Sequence, residues 1–106
     1  MVLVTVFGDR QQVYGSGCCG YKSMEDRIKG FYFVRLYREF GQRQVHCRYI
    51  DVGDEDAKFF PGILQQIQRG TLRLPVVMVN DSVVLHGQFT SNELVDMVKR
   101  AIKGVG

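Results

Sequence analysis

Leu74-Pro75-Val76-Val77-Met78-Val79-Asn80-Asp81-Ser82-Val83-Val84-Leu85-His86 is the stretch that decides the fold. Pro75 has no N–H to give to a ladder, so it suits the start of a strand. Val76 to Val79 is an apolar run too short for a helix and right for a buried strand. Asn80-Asp81 is a two-residue turn whose residue types tolerate positive φ. Ser82 to His86 then returns as a second strand. A hairpin of this kind puts two antiparallel strands side by side.

Upstream of the hairpin, Asp54-Glu55-Asp56 opens a helical stretch. Pro61 disfavours α geometry at Phe60, so a break is expected there. A cleaner helix follows from Pro61 to Arg69, with Ile63, Leu64 and Ile67 on one face and Gly70 after it. Val45 to Asp51 alternates as a strand. Val45, Cys47 and Tyr49 share one face; His46, Arg48 and Ile50 share the other. Ser23 caps a helix with Glu25 and Asp26 in its first turn. Ile28, Phe31, Tyr32, Leu36 and Phe40 recur on that helix at three- and four-residue steps, and Gly41 stops it. Residues 2–7 form the first strand, and a Gly-rich loop runs from Gly8 to Gly20. Downstream, Thr90 and Glu93 make a capping box, with Phe89 and Leu94 placed as a hydrophobic staple. Leu94, Val95, Val98, Ala101 and Ile102 form the core face of the last helix, which Gly104 closes.

The order is β-α-β-α-β-β-α. The first two strands and their crossover helix make a right-handed parallel unit. The hairpin adds antiparallel strands to the same sheet, so an α/β fold with a mixed four-stranded sheet and helices on both faces is expected.

Composition narrows the function classes. The chain has 106 residues, 45% of them hydrophobic, which suits one domain over residues 1–106. No run approaches the roughly 20 apolar residues of a membrane helix. Met1 to Phe7 lacks a basic region and a small-residue cleavage site, so it reads as a strand and not a secretion signal. A cytoplasmic location, where thiols are kept reduced, is expected. The net charge is +3. Lys22, Arg27, Lys29, Arg35, Arg38 and Arg43 read as a solvated helix face, and no nucleic-acid motif accompanies them. Three cysteines are an odd number. That excludes a fully paired intrachain disulfide framework and a four-cysteine metal site within one chain. His46 and His86 lack ligand spacing.

The element order and the Leu74-Pro75-Val76-Val77-Met78-Val79-Asn80 segment together resemble the thioredoxin/glutaredoxin superfamily. The resemblance covers nearly the whole chain and is nearest to the small bacterial YuzD-like thioredoxin-fold proteins. It implies a glutaredoxin-type minimal fold, with a cis bond before Pro75 facing the thiols. It places Cys18-Cys19, between the first strand and first helix, in the active-site region. Gly87 falls where glutaredoxins carry a Gly pair. Leu74 and Pro75 are the substrate-binding residues that it implies, beside Cys18.

Cys18 and Cys19 are the candidate catalytic residues. Gly15, Gly17 and Gly20 let backbone amides approach a thiolate, Lys22 adds positive charge, and a helix start is near. The pattern is Gly17-Cys18-Cys19-Gly20 and not Cys-x-x-Cys. Adjacent Cα atoms are about 3.8 Å apart, whereas disulfides prefer about 5.5–6 Å. A Cys18–Cys19 bridge would be a strained ring, so a monothiol mechanism is expected, with glutathione or another small thiol resolving the adduct. Cys18 is the nucleophile if the helix starts late, and Cys19 if it starts at Gly20. No other cofactor is expected. Cys47, mid-strand, reads as a buried core thiol. The partners implied are protein or small-molecule thiols and disulfides, with neither nucleic acid nor membrane.

Other readings compete. Gly15-x-Gly17-x-x-Gly20 with Asp51 outlines a dinucleotide-binding pattern, but seven residues separate Gly15 from the first strand, and the hairpin breaks the parallel order. Soft-metal or metalloid binding is the stronger alternative. Arsenical metallochaperones of thioredoxin fold carry an adjacent Cys-Cys pair after their first strand. Here Gly20-Tyr21-Lys22-Ser23-Met24 supplies no third thiol, so a further ligand would have to come from elsewhere. A non-enzymatic partner-binding domain is the third class.

Overall fold

The computed structural model describes residues 1–9 and 23–104. The first strand, β1 (Val2–Gly8), is followed by a continuous helical segment. This comprises α1 (Met24–Arg27), a π-helical turn (Ile28–Phe33) and α2 (Val34–Phe40). Strand β2 (Val45–Asp51) leads through a 3-10 turn (Glu55–Phe59) to α3 (Pro61–Gln68). The hairpin β3 (Val76–Val79) and β4 (Ser82–His86) precedes α4 (Ser91–Ile102). The sheet order is β2-β1-β3-β4, with β1 and β2 parallel and the other two pairs antiparallel.

Alternation along β1 builds two cores. Val2, Val4 and Val6 join Val45, Val77 and Val79 beneath Met24, Ile28, Tyr32, Leu36, Leu94 and Val98. Phe7 faces the other way with Ile50, Val76 and Met78, where α3 covers them through Ile63, Leu64 and Ile67. β1 is thus the central strand, buried on both faces. Thr5 is a buried polar residue there, and Arg48 Nε donates to its Oγ1 at 2.9 Å. The Arg48 guanidinium also lies 5.5 Å from the centroid of the Phe60 ring.

Local signals explain the element ends. Ser23 Oγ accepts from Asp26 N–H at 3.2 Å, and Gly41 ends α2 at φ +81°. Asn80 adopts φ +57° in the hairpin turn. The Thr90–Glu93 capping box is formed in both directions. The stretch after Asp54 is a 3-10 turn, and α3 begins at Pro61, as the proline requires.

The first helix departs from the simple α periodicity expected of it. In the π-helical turn, i→i+5 bonding widens the backbone and rotates the residues after it. Tyr32 and Phe33 are therefore both buried, while Phe31, expected in the core, is turned outward and 42% exposed. Tyr37, on α2, reaches the outer side of β2, where Cys47 N–H donates to its Oη at 3.0 Å. This satisfies one amide on an edge strand that would otherwise be open to pairing there.

Candidate functional site

The sheet topology gathers several candidate residues at one end. Strand β1 ends at Gly8, which pairs with Asp51 at the end of β2. Phe7 pairs with Val76, and Val76 pairs with His86. Pro75, immediately before Val76, therefore lies at the same end of the sheet as Gly8, Asp51 and His86. Ser23 starts the first helix after the connection that leaves β1. That connection carries Cys18 and Cys19, together with Lys22 and the glycines of the loop. These lie outside the described residues, and so does the expected neighbourhood of Cys18 with Leu74 and Pro75.

The Leu74–Pro75 peptide bond is cis, and Pro75 is buried. Leu74 is half-buried and packs against both cores. With Arg73, His86, Gly87 and Gln88 it lines a groove of about 520 Å³. Among the described residues, three hydrogen bonds tie the end of β4 to the segment before β3. Gly87 N–H is shared between Arg73 O at 2.8 Å and Pro75 O at 3.0 Å. Arg73 N–H donates to His86 Nδ1 at 3.3 Å. Gly87 sits at φ +76°, a conformation that L side chains rarely adopt.

A second group of contacts sits at the end of β2. Asp51 is buried, at 4% exposure. Tyr49 Oη–H donates to its Oδ1 at 2.8 Å, and Gly53 N–H donates to its Oδ2 at 3.0 Å. The Lys29 ammonium lies 5.4 Å from the centroid of the Tyr49 ring and 2.6 Å from Glu25 Oε2. Both carboxylate oxygens of Asp51 thus accept hydrogen bonds at the strand end and its turn. The sequence reading missed the pairing of Tyr49 with Asp51. Their i,i+2 spacing, which puts both on one face of the strand, was the available signal.

Gly8 is packed under this group. A Cβ there would lie 2.8 Å from Tyr49 Cε1, 3.0 Å from Tyr49 Oη and 3.1 Å from Ile28 Cδ1. Gly8→Ala is expected to lower stability by about 1–3 kcal/mol, as overpacking does. Chemical denaturation of the two proteins measures this, and unchanged stability would contradict the close approach.

Cys47 is half-buried, packed beside the larger core and not enclosed in it. Burial pushes its thiol up to about 11, against a smaller lowering by a hydrogen bond with Tyr37. It stands four residues before Asp51, about 13 Å along the strand from that end of the sheet. Among the described residues, no group of three His, Cys, Asp or Glu side chains is placed to hold a metal ion.

The arrangement defines an α/β protein with a mixed four-stranded sheet and helices on both faces. A solved structure from Staphylococcus aureus, of a protein described as of unknown function, has the same fold. It superposes with a TM-score of 0.69 over 93% of this chain and 89% of that one, at 19% sequence identity. No family model matches the chain, and no curated protein matches it significantly. Among the described residues, no helix is long and apolar enough to cross a membrane.

Proposed function

We propose that this chain is a thiol–disulfide redox protein of thioredoxin/glutaredoxin type, with the nucleophile at Cys18 or Cys19. One observation carries the reading. The sheet order β2-β1-β3-β4 brings Pro75 to the end of the sheet at which β1 leads into the Cys18-Cys19 connection. In the reaction, the thiolate attacks a disulfide sulfur, forms a mixed disulfide and releases the other half as a thiolate. A small thiol such as glutathione then attacks the mixed disulfide. The cysteine thiolate returns, and the small thiol leaves joined to the bound half. Each step exchanges one S–S bond for another, so no outside oxidant is needed. The substrates are protein or small-molecule disulfides, the compartment is the reducing cytoplasm, and Leu74 and Pro75 contact the substrate.

The test is pH-dependent alkylation of the reduced native protein, resolved cysteine by cysteine by mass spectrometry. Cys18 or Cys19 is expected to titrate well below the ~8.5 of a free thiol. Cys47, with its thiol raised to about 11, is expected to react roughly a hundredfold more slowly at neutral pH than a free cysteine. Ordinary titration at both Cys18 and Cys19 would overturn the proposal.

A further inference from the structure

We propose that His86 is a pH-sensitive latch on the Arg73–Leu74 segment of the groove beside Pro75. The inference concerns the conformation of that segment and does not depend on the thiol chemistry. Of the three hydrogen bonds that hold the segment to the end of β4, two are accepted by backbone carbonyls, which do not titrate between pH 5 and pH 8. The third is accepted by an imidazole nitrogen, the one side-chain type whose unperturbed charge changes between about pH 5 and 8. To accept from Arg73 N–H, Nδ1 must be bare, so the neutral ring carries its proton on Nε2. Protonation puts a hydrogen on Nδ1. The acceptor is lost, and two donors then face one another.

Among the described residues, the charge that shares the groove with His86 is positive. Among the described residues lining the groove, Arg73 is the other charged one; Leu74, Gly87 and Gln88 are neutral. Strand β3, the element paired with β4, contributes Val76, Val77, Met78 and Val79, none of which titrates. In α4, which follows, Glu93 is engaged in the capping box with Thr90. Arg73 and His86 are both exposed, and an imidazolium at His86 would be a second positive group among the described residues that line the groove. Gly87 keeps its two carbonyl bonds, so the expected change is local. Arg73 and Leu74 loosen at the mouth of the groove while the β3–β4 ladder stays closed.

The experiment follows amide hydrogen exchange by NMR on the full chain from pH 8 to pH 5. The His86 ring titration is read from its own carbon-bound protons. After correction for intrinsic exchange, protection of the Arg73 amide is expected to fall about three- to tenfold as His86 protonates. Protection of Gly87 N–H, whose acceptors do not titrate, is expected to stay constant. In His86→Asn the amide oxygen can stand where Nδ1 stood, so protection of Arg73 should persist to pH 5. An Arg73 amide that is unprotected at pH 8, or equally protected at both pH values, would overturn the latch. So would the same acid-induced loss in His86→Asn.

Discussion

A chain in which Cys18 and Cys19 are both serine is expected to lose thiol–disulfide exchange by at least about a hundredfold. A serine hydroxyl does not attack a disulfide at neutral pH, so the remaining activity would have to come from Cys47. That thiol is half-buried and raised to about 11, which leaves about one molecule in ten thousand ionised at pH 7. A free thiol at the same pH is ionised to a few per cent. Cys47 is also mid-strand, away from the end of the sheet at which Gly8, Pro75 and His86 lie. Reduction of a small mixed disulfide by excess glutathione, followed spectroscopically, measures the loss. Cys47→Ala should leave the rate unchanged, and the two single serine variants identify which thiol attacks. A double-serine chain as active as the parent would remove the redox reading. The partner-binding alternative would then stand.

The largest stability effect is expected at Leu36. Its side chain is fully buried at 0% exposure, in the core formed by β1, β2, β3, the first helix and α4. Leu36→Ala removes apolar burial and leaves a cavity between a helix and a sheet that can close only in part. A loss of about 3 kcal/mol is expected, within the range of 2–5 for such truncations. Urea denaturation with an unchanged m-value is the measurement. The comparison with Phe31→Ala sharpens it. Simple helical spacing puts Phe31 on the core face, whereas the π-helical turn leaves it 42% exposed and in contact with the Tyr32 ring. Its truncation is expected to cost about 1 kcal/mol or less, since little apolar area returns to water. A cost at Phe31 equal to that at Leu36 would place Phe31 in the core and contradict the π turn.

Both expectations bear on the same helix, because α1 begins where the connection carrying Cys18 and Cys19 ends. Gly8 closes the other end of that connection, tightly packed under Tyr49 and Ile28. The termini of the thiol-bearing connection are therefore held by core packing at both ends. Groups 74–75 and 86–87 come to the same end of the sheet through the antiparallel register of β3. The groove lined by Arg73 and His86 thus includes Leu74 and adjoins Pro75.

Much of the secondary structure was written in neighbouring residues. The bounds of β3 and β4 fall where valine-rich runs meet turn residues, and Asn80 takes the positive φ expected of its turn. Ser23 and the Thr90–Glu93 box cap their helices, and Gly41 and Gly104 follow helix ends at positive φ. These features depend on steric limits and hydrogen bonds within a few residues, so periodicity and residue type suffice to read them. The adjacent thiols and their place between the first strand and first helix were equally legible. Other features came only with the tertiary structure. Strand order, the outward turn of Phe31, the reach of Tyr37 to Cys47 and the half-burial of that thiol are examples. So are the close approach of Tyr49 to Gly8, the burial of Asp51 and the hydrogen bond from Arg73 to His86. Strand register, packing between elements and desolvation decide these, and they act between parts of the chain that only the folded structure brings together.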